Sequence, residues 1–148
     1  MHVRTFSLTV PAARDTVFNY LADIENLPRW AAGFCERLDL SCGRWRGLTT
    51  QGDLFLEMES DVQTGVIDLH AGDELQRVRL LPLRVLGLPG GGTLVNCVFY
   101  QTPDQSTAVY QRQCNLLSGE LGRLAGRFGG GELHEPVAFP QRAEVGAN

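Results

Sequence analysis

TLVNCVFYQTPDQSTAVYQRQCNLLSGELGRLAGRF, residues 93–128, decides the fold, because the hydrophobic period changes inside it. Up to Tyr100 the period is two, which predicts a strand over 93–100. Val95, Cys97 and Phe99 share one side of that strand; Leu94, Val98 and Tyr100 share the other. If the first set faces the following helix, the second makes an apolar patch on the outer side, of the kind that suggests a homodimer. The sequence leaves the opposite register open. Beyond Pro103, Asp104 or Ser106 can cap a helix. Tyr110, Cys114, Leu117, Leu121, Leu124 and Phe128 then recur at helical spacing and form one apolar stripe. Gly119, Gly122 and Gly126 each cost this helix roughly 1 kcal/mol relative to Ala, so packing must hold it. At about 23 residues it is roughly 35 Å long. A sheet of about seven strands is roughly 30 Å across, so the helix can span it.

Upstream, the period is two almost throughout. Phe6, Leu8 and Val10 line one face of a strand over 3–10, which Pro11 ends. Val17, Tyr20, Leu21 and Ile24 predict a helix over 12–23. A second short helix, 27–32, carries Trp30. Strands are expected at 34–40, 44–50, 53–60, 64–70 and 75–87. Turn signals such as Gln51-Gly52-Asp53 and Pro89-Gly90-Gly91-Gly92 separate them. Connections this short imply an antiparallel meander. Glu57 and Glu59 mark the wet face of 53–60; Leu54, Leu56 and Met58 mark the other. After Gly129-Gly130-Gly131 the pattern is lost. Residues 1–131 read as one domain, and 132–148 as a loose tail that Val137 and Phe139 could pin.

Composition excludes several classes. The 148 residues suit one domain. A formal charge of −4 argues against nucleic acid as a partner. All 13 basic residues are Arg. The least charged stretch, 85–103, is broken by Gly, Pro and Asn96, so no membrane span is expected. Cys35, Cys42, Cys97 and Cys114 show no metal-ligand spacing, and no metal or other cofactor is expected. With no export signal visible at residues 1–10, they read as reduced thiols in a cytoplasmic protein.

The stretches VPAARDTVFNYLADIENLPRW (10–30), GVIDL (65–69), LPLRV (81–85) and GGTLVNCVFYQTPD (91–104) resemble bacterial polyketide cyclase/dehydrase-type members of the START-like, or SRPBCC, superfamily. The resemblance covers roughly residues 3–128. It implies an α+β helix-grip fold, a curved antiparallel sheet of about seven strands wrapped on a long C-terminal helix. It also implies a cavity between sheet and helix that holds a small apolar, aromatic or lipid-like molecule. One uncharacterised branch has Asp followed directly by His; here Leu69 stands between Asp68 and His70, which moves the imidazole to the other side of the strand relative to that pattern.

Under that reading the cavity would be lined by Trp30, Leu54, Leu56, Met58, Val78, Leu80, Val95, Cys97, Phe99, Tyr110, Cys114 and Leu117. It should exceed ~300 Å³. Binding of a small apolar ligand is the first expectation. A cyclase-, dehydratase- or hydrolase-type enzyme is the alternative, with Asp68, His70, Arg84 or Tyr110 as acid–base groups. An interaction module using the outer sheet face is the third. Asp68 and His70 share a strand face and would make a general base if turned inward. Alternation favours the outward reading, with Asp68 opposite Arg77 as an ion pair. Arg84, amid Leu81, Pro82, Leu83, Val85 and Leu86, either anchors a ligand carboxylate or phenolate or faces water. Cys114 as a nucleophile has no base in sight and reads as an inert thiol.

Overall fold

Strand β1 (Val3–Val10) alternates from half-buried to buried along its length, burying Phe6, Leu8 and Val10. Pro11 ends it, and helix α1 (Arg14–Ala22) begins from an extended Ala13. A single turn of 3-10 helix (Ile24–Asn26) follows, capped by the Asp23 carboxylate on the Glu25 amide, and leads into α2 (Leu27–Trp30). A meander comes next: β2 (Cys35–Ser41), β3 (Arg44–Thr49), β4 (Gly52–Asp61), β5 (Val66–Gly72), β6 (Arg77–Gly87) and β7 (Thr93–Tyr100). The computed structural model describes residues 1–73 and 77–135, with the side chain of Val78 left out of that description. The expected pinning contacts of Val137 and Phe139 lie outside the described residues.

Every strand pairs antiparallel, in the order β2-β3-β4-β5-β6-β7-β1-β8. An eighth strand, β8 (Glu132–His134), adds one to the expected sheet of about seven and is drawn from the start of the stretch read as a tail. β1 would otherwise be an open edge with unpaired backbone groups. Glu132, Leu133 and His134 cover it, opposite Thr9, Leu8 and Ser7. Gly129 and Gly130, at φ +90° and +87°, turn the chain back for this pairing. Residue 131 must be glycine, because a Cβ there would collide with the Thr9 carbonyl.

Helix α3 (Thr107–Arg127) starts at Ser106, whose hydroxyl accepts the Val109 amide at 3.2 Å; of the two expected caps, Ser106 is the one used. Its stripe of Tyr110, Cys114, Leu117, Leu121 and Leu124 is buried, as is Phe128 just beyond. The helix packs over β1 and β8, with α2 against it on the other side. The concave face of the sheet supplies the rest of the core. Phe6, Ile67, Leu69, Leu83, Val85, Val95 and Cys97 are at most 2% exposed. Cross-strand pairs fix the register: Phe6 opposite Cys97, Leu83 opposite Cys97, and Ile67 opposite Leu83. A one-residue slip would turn each of these side chains to the other face.

Candidate functional site

The register sorts the sequence candidates. Asp68, His70 and Arg84 lie on the convex, outer face, so none of them enters the interior as an acid–base group. Their neighbours Ile67, Leu69, Leu83 and Val85 are the buried ones, and alternation puts the polar set on the opposite side. Arg84 Nη1 lies 2.9 Å from Asp68 Oδ1, and His70 Nε2 lies 2.9 Å from Glu59 Oε1. Asp68 stands opposite Pro82 rather than Arg77, because Gly72 already pairs with Arg77 and the register shifts between Ala71 and Gly72. Arg77 instead meets Glu57 and Glu59, both at 3.2 Å. Leu80 is on the outer face too, its amide donating to the Tyr100 hydroxyl at 2.9 Å. It is removed from the expected cavity lining, and the residues facing inward from β6 are Arg79, Leu81, Leu83 and Val85. The expected role of Val78 falls on a side chain outside the described ones.

Half of the expected lining residues are packing residues. Trp30, Val95, Cys97, Tyr110 and Cys114 are buried in a continuous core. Leu54 is half-buried against it. Tyr110 stacks on Phe99, with ring centres 5.4 Å apart, and its hydroxyl donates to the Phe99 carbonyl at 2.8 Å. Burial, reinforced by Cys114, pushes the phenol's pKa well above its ordinary value. Its proton is therefore committed to the backbone, and it is not available as the acid–base group expected. Burial likewise pushes the Cys97 thiol up to about 12, which makes it inert.

The interior is not hollow on the expected scale. Between α3 and the sheet is a cleft of about 40 Å³, room for a few waters. Phe99 and Leu117 line it, together with Ala31, Gly33, Phe34, Thr50, Leu81, Gln113 and Leu116. Two charged residues complete it: Arg79 from β6 and Glu120 from α3, only 4% and 3% exposed. A larger, more polar notch of about 540 Å³ lies at the end of the β2–β3 hairpin, where Leu56, Met58, Trp45 and Ile24 share the lining with Asp23, Arg44, Glu57, His70 and Arg77, beside Ala71. The two spaces share no lining residue; Ala71, in the notch, is the cross-strand partner of Arg79, in the cleft.

Arg79 and Glu120 were missed in the sequence, though each left a signal. Arg79 alternates in phase with Leu81, Leu83 and Val85, and Glu120 lies three residues after Leu117 on the stripe side of α3. Arg79 Nη1 donates to the Tyr100 carbonyl at 3.1 Å, and Nη2 to Gln105 Oε1 at 2.8 Å. Its guanidinium covers the Phe99 ring at 4.7 Å. Gln105 donates onward to Gln113, and Gln113 to Thr50 at 3.3 Å, closing the polar rim of the cleft. Glu120 Oε1 accepts the Gly33 amide at 2.8 Å, tying α3 to the turn after α2. A Cβ at position 33 would collide with that oxygen, so the tie requires glycine. Burial raises the Glu120 carboxyl pKa above its ordinary 4.5, against the Gly33 amide and Arg123, which lower it. Burial also lowers the Arg79 pKa, yet a guanidinium keeps its charge.

Solved structures with the same architecture are numerous. An uncharacterised protein from Bacillus thuringiensis superposes with a TM-score of 0.64 at 15% identity, over 86% of this chain and 98% of that one. A START superfamily protein from Mycobacterium smegmatis gives 0.61 at 15%, over 87% and 98%. Ara h 8.0201 gives 0.55 at 14%, over 86% and 97%. The fold is START-like. No family profile and no curated protein sequence matches the chain. In this START-like frame the cleft sits where the gripping helix, the sheet and the turn after α2 converge. The outer face carries Leu94, Val98 and Tyr100 half-buried and Leu86 47% exposed. No helix among the described residues is long and apolar enough to cross a membrane. No cluster of metal-ligating side chains is present among them.

Proposed function

We propose that the protein binds a small, largely apolar molecule between α3 and the concave face of the sheet, in the cleft lined by Phe34, Leu81, Phe99 and Leu117. The observation that carries this reading is the composition of that cleft: apolar walls around a few buried polar groups, the usual make-up of a small-molecule site. As it stands the cleft is too small for such a guest. Leu116, on the rim, is 48% exposed, and its outward rotation would widen the cleft. The larger notch is lined from the neighbouring strand, across the Arg79–Ala71 pair. A solvatochromic apolar probe, N-phenyl-1-naphthylamine, tests the reading. It should bind saturably, and Leu117→Trp, which fills the cleft, should weaken binding roughly tenfold or more. Circular dichroism of the variant should be unchanged. No saturable binding to the parent protein, or equal affinity for the variant, overturns the reading.

A second reading, an enzyme of the cyclase or dehydratase kind in the same cleft, rests on Glu120. Burial shifts its carboxyl toward the protonated form, the direction a general acid requires. A ligand that co-purifies and is recovered with altered mass after incubation supports the enzyme; recovery unchanged supports the carrier.

A further inference from the structure

We infer that the ligand carries a carboxylate, and that Arg79 is the residue that selects it. The inference rests on the binding reading above and narrows its ligand class. Arg79 differs from Arg4, Arg46, Arg77 and Arg84 of the sheet in two ways at once, and from Arg37 and Arg44, which are exposed, in its burial. Arg4, Arg46, Arg77 and Arg84 each have a carboxylate oxygen within 3.5 Å, and their side chains are between 35% and 55% exposed. Arg79 is 4% exposed and has no carboxylate within salt-bridge distance among the described residues; exposed Asp104, on the loop before α3, acts on it only from farther off. Its two hydrogen-bond acceptors, the Tyr100 carbonyl and Gln105 Oε1, are neutral. Buried charges are ordinarily paired, because an unpaired one costs several kcal/mol. Guanidinium offers five N–H donors, and two bonds leave capacity for an anion.

The surroundings select among anions. One guanidinium supplies one positive charge, and the nearest wall groups on the cleft are apolar or neutral, apart from Glu120. A dianionic phosphate would meet one cation and an acid. A monoanion on an apolar body asks for no more than the one charge of Arg79. Arg79 Cζ lies 4.7 Å from the Phe99 ring centre, and the planar fork of a guanidinium matches a planar two-oxygen group.

The test uses two isosteric probes, 2-naphthoate and 2-naphthamide, titrated against the full chain by calorimetry. The parent protein should prefer the acid by roughly ten- to a hundredfold, the worth of a charge-assisted hydrogen bond. Arg79→Gln should abolish the preference, and Arg79→Lys should restore part of it. The parent measurement stands even if Arg79→Gln fails to fold. Equal affinity of the parent for both probes overturns the carboxylate inference and leaves the binding reading intact. Binding of neither at millimolar concentration overturns the binding reading and this inference with it.

Discussion

The two faces of the sheet carry the same residue types to different ends. On the convex face every described charge of β5 and β6 has an opposite partner: Arg84 with Asp68, His70 with Glu59, and Arg77 with Glu57 and Glu59. Those side chains are partly solvated, and pairs of this kind contribute little to stability. On the concave face Arg79 and Glu120 are buried, line one cleft, and bond to neutral groups. Arg79 and Arg84 belong to the same strand, five positions apart, so their sides differ by parity alone. What separates an ordinary surface ion pair from a candidate ligand anchor is strand phase.

That contrast can be broken most forcefully by truncation. Leu83→Ala removes a side chain that is 1% exposed and locked between Ile67 and Cys97. It should cost about 3 kcal/mol in urea unfolding, whereas Leu80→Ala on the outer face should cost under about 1 kcal/mol. Equal costs would mean that β6 sits in the opposite register. A smaller effect sharpens the electrostatic side. Because burial raises the Glu120 pKa above 4.5, the folded chain retains a proton that the unfolded chain releases. This group's contribution is therefore complete below that value and is lost as pH rises through the folded-state pKa. Glu120→Gln keeps an acceptor for the Gly33 amide and removes the titration. Its stability relative to the parent should increase with pH above 4.5 and then level off. A difference that stays flat from about pH 4 to about pH 8 would refute the buried-acid assignment. The smallest effect belongs to the convex face: Asp68→Asn should change stability by less than about 1 kcal/mol and leave probe binding untouched. Loss of binding there would move the site to the outer face.

Much of the architecture was legible because it depends on short-range pattern. The alternation in residues 93–100, the stripe from Tyr110 to Phe128 and the Ser106 cap are local signals, and the structure follows each one. β8 was not legible. Three residues pair there because β1 offers an open edge more than 120 positions earlier, and nothing in Glu132-Leu133-His134 announces that edge. The site was read less well than the fold. Leu80 was taken as an inward residue of β6, although the inward ones are Arg79 and Leu81. Pro82 and the irregularity at Ala71 and Gly72 blurred the phase that would have corrected this. Glu120 was passed over because a single acid beside an apolar stripe usually faces water.

By itself the sequence determined a meander of strands closed by a gripping amphipathic helix, since periodicity and turn chemistry are properties of neighbouring residues. Only the tertiary structure decided which charges are buried, that β8 completes the sheet, and that the space beneath α3 is a narrow cleft of about 40 Å³ rather than a wide hollow. The physical reason is that volume and solvation are set by side chains meeting from distant parts of the chain. The pairing of Ala71 with Arg79 and the tie from Glu120 to Gly33 exist only once those elements have packed.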